Sequence, residues 1–585
     1  MFRPLRTLKP RLLLPAIELG IMVHLLSSCV VADFHKVTPV TAANVNTNAS
    51  GTCFTTEDLK NTAVPDPCFG NHSTEFGYYA FSLLISVFKP IHTTLTGTDD
   101  RATSYMVTET DEDGALWVAH PYLAKNGTDI HYQITKLNPN QQNNPSPPPT
   151  YPAEDASGLA ISDILIDQKN ESNQRLIYYA GTIHQGSVNT HEFFVCRLLE
   201  DGTTKNLSAD KSFGSGTTHC RYFPSIMIDF ASFGSAAQYN PIPASTKPVR
   251  IAFHMGSDGV RRVVAVGICS NPVGIEYITL IPVRVSDGLI SGPNGPLNTI
   301  TKWIIGTQRQ GSAFTSGPNM RALRIFGFET DPLDGYSPSF IYLGFEFLND
   351  QDSAGSTASG TGTFKTYDGP YPRAEHFILR LNSTLSEVGF GEDYSERRGI
   401  YIPAESIDGT SQSFLNNRPI STASNLSSMR VRQGHIYVMG LHVDQASLSS
   451  SPTSLGYKLL KYPTNATNSS ASQSITITSA TSCNLAAHPA FDVSREDLMV
   501  VSCAQSNSPG GNNFLIREHS PTNLAVMNRI GSATNENALI RNGFEGLTQH
   551  SPNVNLYYDE DLGGHFLYRG WISLLYPQFL RTWQN

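Results

Sequence analysis

Two acidic triplets could bind a cation through their carboxylates: Asp111-Glu112-Asp113 and Asp559-Glu560-Asp561. Hard cations prefer carboxylate oxygens, but a protein loop that surrounds one ion spaces its ligands as Asp-x-Asp-x-Asp-Gly. Neither triplet has that order, so we expect solvated acidic turns, no metal and no other cofactor. The sequence also lacks a Gly-x-Ser-x-Gly elbow, a phosphate-binding loop and a His-Glu-x-x-His helix. It therefore leaves the catalytic residues, if any, unknown.

The segment from Thr110 to Trp117 resembles the Asp-box of sialidase-type β-propellers, whose pattern is Ser-x-Asp-x-Gly-x-x-Trp. In this alignment Thr110 takes the serine position, Glu112 the aspartate position and Gly114 the glycine position. The resemblance implies a structural turn with Trp117 packed between sheets, and not a catalytic centre. The Phe-Arg-Ile-Pro signature of sialidases is absent, which disfavours sialidase activity.

Eight cysteines could form covalent links. Three pairs that are close in the sequence are disulfide candidates, although sequence cannot fix connectivity: Cys53–Cys68, Cys196–Cys220 and Cys483–Cys503. Cys269 is left as a buried thiol, because it ends the apolar run Val263–Ile268. No Cys/His cluster has zinc spacing, so we expect no zinc site.

The N-terminal segment predicts export. Basic residues from Arg3 to Arg11 precede an apolar stretch, Leu12 to Leu26, that ends in small residues. This order is typical of a secretory signal peptide, which we assign to residues 1–28. Glu18 interrupts the stretch, and a charge near the centre of a membrane helix costs ~2.5–3.5 kcal/mol, which disfavours a permanent span.

Leu26-Ser27-Ser28-Cys29 is similar to a bacterial lipobox. The resemblance implies that the nucleophilic Cys29 thiol is lipidated and becomes the first mature residue, anchored to a membrane of the cell envelope and facing the periplasm or the exterior. Two alternatives remain open, an ordinary signal peptide with an incidental cysteine and a type II signal anchor. Residues 29–76 are rich in Thr, Asn and Ala and predict a flexible tether.

Composition excludes one class of partner. The net charge is −9 and the sequence pI about 6.0, whereas a nucleic-acid-binding domain usually has a pI above ~9. Charged residues are only 16% of the chain, below the usual ~25%, as expected of a loop-rich exported protein. Nine Asn-x-Ser/Thr acceptors leave glycosylation open; they are Asn48, Asn71, Asn126, Asn170, Asn206, Asn382, Asn425, Asn465 and Asn468.

A two-strand unit recurs along the chain. Its clearest copy is Arg175–Gly181 followed by His191–Leu198, and weaker copies begin near Ser339, His435 and Asp497. Repeated hairpins at irregular spacing are typical of a β-propeller. We therefore predict an all-β fold over residues 77–585, a single β-propeller of about seven divergent blades, with six to eight possible.

The unit from Phe193 to Gly214 resembles the delta-sixty tandem repeat family. The matching features are Arg197-Leu198 after an aromatic strand, the Asp201-Gly202 turn and Ser212-Phe213-Gly214. A partial second copy keeps Arg380-Leu381 and Phe390-Gly391. The resemblance implies a propeller-like scaffold and carries no catalytic residues.

A second resemblance is to paramyxovirus attachment-glycoprotein heads, in Ser50–Cys53, Gly77–Ser82 and Cys483 with Cys503. Three functions follow from these patterns. We expect first a non-enzymatic, lipid-anchored propeller that presents loops to a protein or glycan ligand. The alternatives are a propeller enzyme acting on glycans, sialidase-like or another glycosidase, and a viral-type receptor-binding head.

Overall fold

The computed structural model describes thirty-three β-strands and the turns that join them. The described residues are 64–70, 78–80, 106–123, 130–139, 148–152, 159–184, 191–214, 216, 218–223, 226–230, 235–244, 248–270, 276–292, 304–306, 321–330, 340–349, 373–394, 397–402, 426–444, 454–477, 490–494, 499–505, 513–527, 550–560, 562–572 and 577–584. Within these ranges there is no helix, and hence none that could cross a membrane. The predicted all-β class is confirmed.

The first three groups of strands lie before residue 310. Two short strands come first, β1 (Val64–Pro65) and β2 (Tyr78–Ala80). Sheet 1 contains β3 (Val107–Thr110), β4 (Leu116–Leu123), β5 (Ile130–Leu137) and β6 (Thr150–Pro152). Sheet 2 contains β7 (Ala160–Ile166), β8 (Arg175–His184), β9 (His191–Glu200), β10 (Leu207–Ala209) and β11 (Cys220–Phe223). Sheet 3 contains β12 (Ile226–Phe230), β13 (Ser235–Pro241), β14 (Arg250–Met255), β15 (Arg261–Ser270), β16 (Glu276–Arg284) and β17 (Ile304–Gly306).

The remaining sheets follow in chain order. Sheet 4 contains β18 (Arg321–Thr330), β19 (Ile341–Asn349), β20 (Arg373–Leu381), β21 (Glu392–Tyr394) and β22 (Arg397–Ile402). Sheet 5 contains β23 (Leu426–Arg432), β24 (His435–Asp444), β25 (Ser454–Pro463) and β26 (Gln473–Ile477). Sheet 6 contains β27 (Ala490–Val493), β28 (Met499–Gln505), β29 (Asn513–His519) and β30 (Val526–Met527). Sheet 7 contains β31 (His550–Asp559), β32 (Gly564–Ile572) and β33 (Pro577–Gln584), joined by β1 and β2.

One strand from each sheet contributes to a ring. Going round it, β3 contacts β7, followed by β14, β18, β23, β27 and β31, and β31 contacts β3 again. The other strands of each sheet are paired antiparallel outward from this ring. This cyclic order of open, antiparallel sheets is the arrangement of a β-propeller, which agrees with the predicted fold. The ring strands expose one edge to the common axis.

The chain ends meet in sheet 7. Val64 and Pro65 pair with Trp583 and Thr582, so an N-terminal strand adds to the C-terminal one. Pairing of this kind joins the first and last parts of the ring by backbone hydrogen bonds and protects a sheet edge. Residues 64–70 fall within the segment that the sequence predicted as a tether, so this part of residues 29–76 belongs to the propeller.

The cores lie between adjacent sheets. Phe193–Leu198 is buried throughout its length, and alternate residues face different neighbours. Phe193 and Val195 pack toward sheet 3, whereas Phe194 and Cys196 pack in the cluster shared with sheet 1. A strand buried on both faces reads as a continuous apolar run, as predicted.

A repeated contact between an arginine and a later phenylalanine explains the motif shared by the two best copies. The Arg197 guanidinium lies 4.8 Å from the Phe213 ring centre, and its Nη2 donates to Ser212 Oγ. In the second copy Arg380 lies 5.2 Å from the Phe390 ring centre. These residues hold the turn after each third strand against its sheet. The motif is therefore structural.

Candidate functional site

Carboxylates close the inner edge of the ring at three places. Asp163 Oδ2 accepts the Ile251 N–H at 2.8 Å. Glu329 Oε2 accepts the Val431 N–H, and Asp492 Oδ2 accepts the Leu556 N–H, both at 2.9 Å. In each case a side chain of one ring strand bonds to the backbone of the next ring strand. An edge N–H that would otherwise be unpaired is thereby satisfied.

Arg430 joins two of these carboxylates. Its Nη1 donates to Glu329 Oε1 at 2.7 Å and its Nε donates to Asp492 Oδ1 at 2.9 Å. Arg432 also donates to Glu329 Oε2, at 3.2 Å. Although burial disfavours the Arg430 charge, the carboxylates of Glu329 and Asp492 raise the pKa of Arg430 above its ordinary value. Arg430 is therefore a fixed positive charge at the axis.

Glu109 differs from the other axial carboxyl groups. It lies on β3, on the side of the ring across from Arg430, and no hydrogen bond or ion pair within the described residues holds its carboxyl group. Burial raises its pKa from 4.5 to about 7, and the charge of Asp492 adds to the increase, while Arg430 opposes it. Glu109 itself keeps part of its surface exposed, and its pKa is shifted toward neutral pH.

Asp163 and Arg250 form the adjoining part of the axis. Burial raises the pKa of Asp163 to about 6, and the nearby Arg250 charge partly opposes this increase. The Arg250 Nη1 atom lies 3.9 Å from Asp163 Oδ1, and the side chain keeps 30% of its surface exposed. Among the described residues its guanidinium makes only long contacts, at 3.5 Å to the Ser162 carbonyl and 3.9 Å to Asp163. Arg250 can therefore bind an anionic group through its guanidinium N–H donors.

We call Glu109, Asp163, Arg250, Glu329, Arg430 and Asp492 the axial cluster. Six different ring strands contribute one residue each. It combines a carboxyl group whose pKa is raised toward neutrality with ion-paired carboxylates and arginines. Strong shifts caused by burial and by specific charged neighbours mark functional sites in many proteins. The cluster can perform general acid–base chemistry and can bind an anion.

The sequence did not reveal this cluster. Glu109 and Arg430 are far apart in the sequence, and each lies in an ordinary strand. A usable signal was the presence of a charged residue in otherwise short apolar strands such as Ile161–Ile164, where Asp163 interrupts the pattern. These charged side chains come together only when the ring of strands closes.

The acidic triplet at Asp111 corrects two predictions. Asp111 Oδ1 accepts the N–H groups of Asp113 and Ala115 at 3.0 and 2.9 Å, and Oδ2 accepts Trp117 Nε1 at 2.9 Å. Asp111, and not Glu112, therefore takes the aspartate role of the turn. Asp111 is 5% exposed, so it is not the solvated acid that was predicted, because its carboxylate accepts hydrogen bonds from within the turn. Glu112 and Asp113 are exposed as predicted. The predicted turn and the burial of Trp117 are confirmed.

Gly114 is required at this turn. Its φ of +75° is unfavourable for other residues, and a Cβ atom would lie 2.6 Å from the Tyr557 ring. The second triplet also departs from the prediction, because Asp559 is 1% exposed and its backbone carbonyl accepts the Gly563 N–H. Glu560 is exposed as predicted.

The predicted disulfide Cys196–Cys220 is present. The two residues are directly opposite each other on β9 and β11, which brings their side chains together. His219 lies close enough to both sulfurs to suggest metal ligation, but the sulfurs are bonded to each other, which accounts for the trio. Cys269 is buried, with its sulfur 3.0 Å from Thr279 Oγ1.

The other cysteine predictions concern residues that lie only partly within the described ranges. Cys68 is disulfide-bonded, while its predicted partner Cys53 lies outside the described residues. Cys29 and Cys483 also lie outside them, as does the signal segment. Cys503 is on β28, and its predicted pairing stays a prediction.

No protein-family model and no curated protein matches the chain. Solved structures with a similar overall arrangement include the polysaccharide lyase Uly1 (TM-score 0.40, 8% identity, 88% of this chain and 93% of that one). Another is the α-L-arabinofuranosidase Arb93A from Fusarium graminearum (TM-score 0.33, 7% identity, 86% of this chain and 98% of that one). A third is the parainfluenza virus 5 hemagglutinin-neuraminidase ectodomain (TM-score 0.29, 8% identity, 97% of this chain and 96% of that one). At these scores the likenesses carry no conclusion about function.

Proposed function

We propose that this protein is a propeller enzyme that cleaves glycans at the axial cluster, with Glu109 as the proton donor. The observation that supports this function is the Glu109 carboxyl group itself. It faces charged residues of other ring strands, no described group fixes it, and burial raises its pKa to about 7. A general acid is most effective when its pKa lies near the working pH.

The choice of glycans rests on the set of groups around Glu109. Glycoside cleavage uses one carboxylic acid that stays protonated and a second carboxylate that remains ionised, in environments that separate their pKa values. Asp492 and Glu329 are held in ion pairs with Arg430. One of these two would supply the ionised carboxylate, and Arg430 holds both in place.

Arg250 gives the site a preference among glycans. Its guanidinium is partly exposed, and its contacts within the described part of the chain are long. Carboxylate groups bind arginine through paired, charge-assisted hydrogen bonds. The proposed substrates are therefore oligo- or polysaccharides that carry acidic sugars.

The test is hydrolysis of a panel of neutral, uronate-containing and sialylated saccharides by the full-length protein and by Glu109→Gln. Loss of a general acid typically reduces the rate by about 10²- to 10⁴-fold, while saccharide binding should persist. Glu560→Gln, which changes an exposed carboxylate, is the matched control and should keep full activity. Equal rates for the parent and Glu109→Gln on a hydrolysed saccharide would refute the proposed role.

A binding function remains the alternative proposal. Saccharide binding without hydrolysis by any protein variant would favour the loop-presenting propeller predicted from the sequence. The lipid anchor at Cys29 and the cell-envelope location are compatible with either function. An exported enzyme tethered to a membrane would act on glycans outside the cytoplasm.

A further inference from the structure

A second cluster of charged side chains lies away from the axis, between sheets 1 and 2. Lys136 Nζ is 2.6 Å from Glu200 Oε1 and 3.5 Å from Asp111 Oδ2. The side chains of Asp111 and Glu200 are fully buried, and that of Lys136 is 6% exposed. Trp117 covers the amine, with its ring centre 5.1 Å from Nζ. Water is thus excluded from an amine that faces two carboxylates.

We propose that Lys136 and Asp111 form an intramolecular isopeptide bond, with Glu200 as the proton carrier. In this reaction Nζ attacks Asp111 Cγ, a C–N bond forms and the Cγ–Oδ2 bond breaks. Nζ gives up two protons, which leave with Oδ2 as one water molecule. Glu200 accepts and returns these protons and ends ionised as it began. No oxidant or cofactor is required, and the net charge does not change.

The surrounding donors suit each step. Asp111 Oδ1 accepts the N–H groups of Asp113 and Ala115 at 3.0 and 2.9 Å. These two donors can stabilise the negative charge that develops on Oδ1 when the amine attacks. Glu200 Oε1 is within hydrogen-bond distance of Nζ, as a proton carrier must be.

Charge balance also favours the linked form. The buried cluster contains Lys136, Arg175, Asp111 and Glu200, and Arg175 Nη1 lies 2.6 Å from Asp111 and 3.0 Å from Glu200. Formation of the amide removes one positive and one negative charge from the interior. Arg175 would keep Glu200 as its partner. Because each buried ion carries a desolvation cost of several kcal/mol, fewer buried ions are favourable.

Peptide mass spectrometry of the purified, unreduced and then reduced protein tests the proposal. We expect one cross-linked species in which the peptides that contain Asp111 and Lys136 are joined with the loss of one water. Lys136→Arg and Glu200→Gln should abolish it. Lys461→Arg is the matched control, because the buried Lys461 donates to the Pro521 and Thr522 carbonyls, and should leave it unchanged.

Recovery of the two peptides only as separate, full-mass species from the folded parent protein would overturn the proposal, whether or not the variants fold. Persistence of the cross-link in Glu200→Gln would overturn the role of Glu200.

Discussion

Replacement of Glu109 with glutamine is expected to make the folded protein more stable at alkaline pH. Glutamine has nearly the same shape as glutamate but carries no charge. In the parent protein, burial raises the Glu109 pKa from 4.5 to about 7. The ionised carboxylate is therefore less favourable in the folded protein than in the unfolded chain.

The sign and size follow from this shift. Below about pH 4.5 the carboxyl group is protonated in both states, so it adds no pH-dependent difference. Between pH 4.5 and 7 the unfolded chain ionises while the folded protein keeps its proton. Stability then falls by about 1.4 kcal/mol per pH unit. Above pH 7 the cost has reached its full value of about 3 kcal/mol.

Denaturant unfolding at pH 5 and pH 8 measures the effect, provided that the transition is two-state. The free energy of unfolding of Glu109→Gln should exceed that of the parent by about 2.5 kcal/mol more at pH 8 than it does at pH 5. Glu560→Gln is the control, because Glu560 is exposed. The reasoning fails if Glu109→Gln and the parent show the same change in stability between the two pH values.

Three further predictions concern other parts of the molecule. Arg430→Met should lower the free energy of unfolding by about 2 kcal/mol, measured with denaturant, because Asp492 loses its guanidinium partner and Glu329 keeps only Arg432, while 24% exposure of Arg430 limits the loss; an unchanged midpoint would contradict this. The double substitution Cys196→Ser with Cys220→Ser removes a disulfide that spans 24 residues and should lower the free energy of unfolding by about 3 kcal/mol. A decrease below about 1 kcal/mol would contradict this prediction. Cys29→Ala should abolish metabolic incorporation of a labelled fatty acid, and label retained by this variant would refute lipidation at that residue.

The scaffold was predictable because its signals are local. Strands such as Phe193–Leu198 are continuous apolar runs bounded by turn residues, and burial between two sheets requires that pattern. The Cys196–Cys220 disulfide was also accessible, since both residues belong to one repeat unit. Turn chemistry was predicted less well. The motif alignment assigned the aspartate position to Glu112. In the structure it is Asp111 that accepts the hydrogen bonds from the backbone N–H groups of the turn.

The axial cluster could not be predicted from local patterns. Glu109, Asp163 and Arg430 are brought together only when the ring closes, and the order of strands around the axis fixes which side chains meet. Their pKa values depend on burial and on charges from distant strands. The sequence shows each charge, but the interaction between them is a property of the tertiary structure.

Titration of the glutamate side chains by carbon NMR, with selective labelling of the glutamate carboxyl carbon, tests the central claim without a substrate. The spectra of the parent and Glu109→Gln identify the resonance of Glu109. Selective labelling keeps Asp163 out of the spectrum. We predict that the Glu109 carboxyl titrates with a midpoint near pH 7, within about one unit. A midpoint near the ordinary value of 4.5 would contradict the assignment of Glu109 as a proton donor at neutral pH.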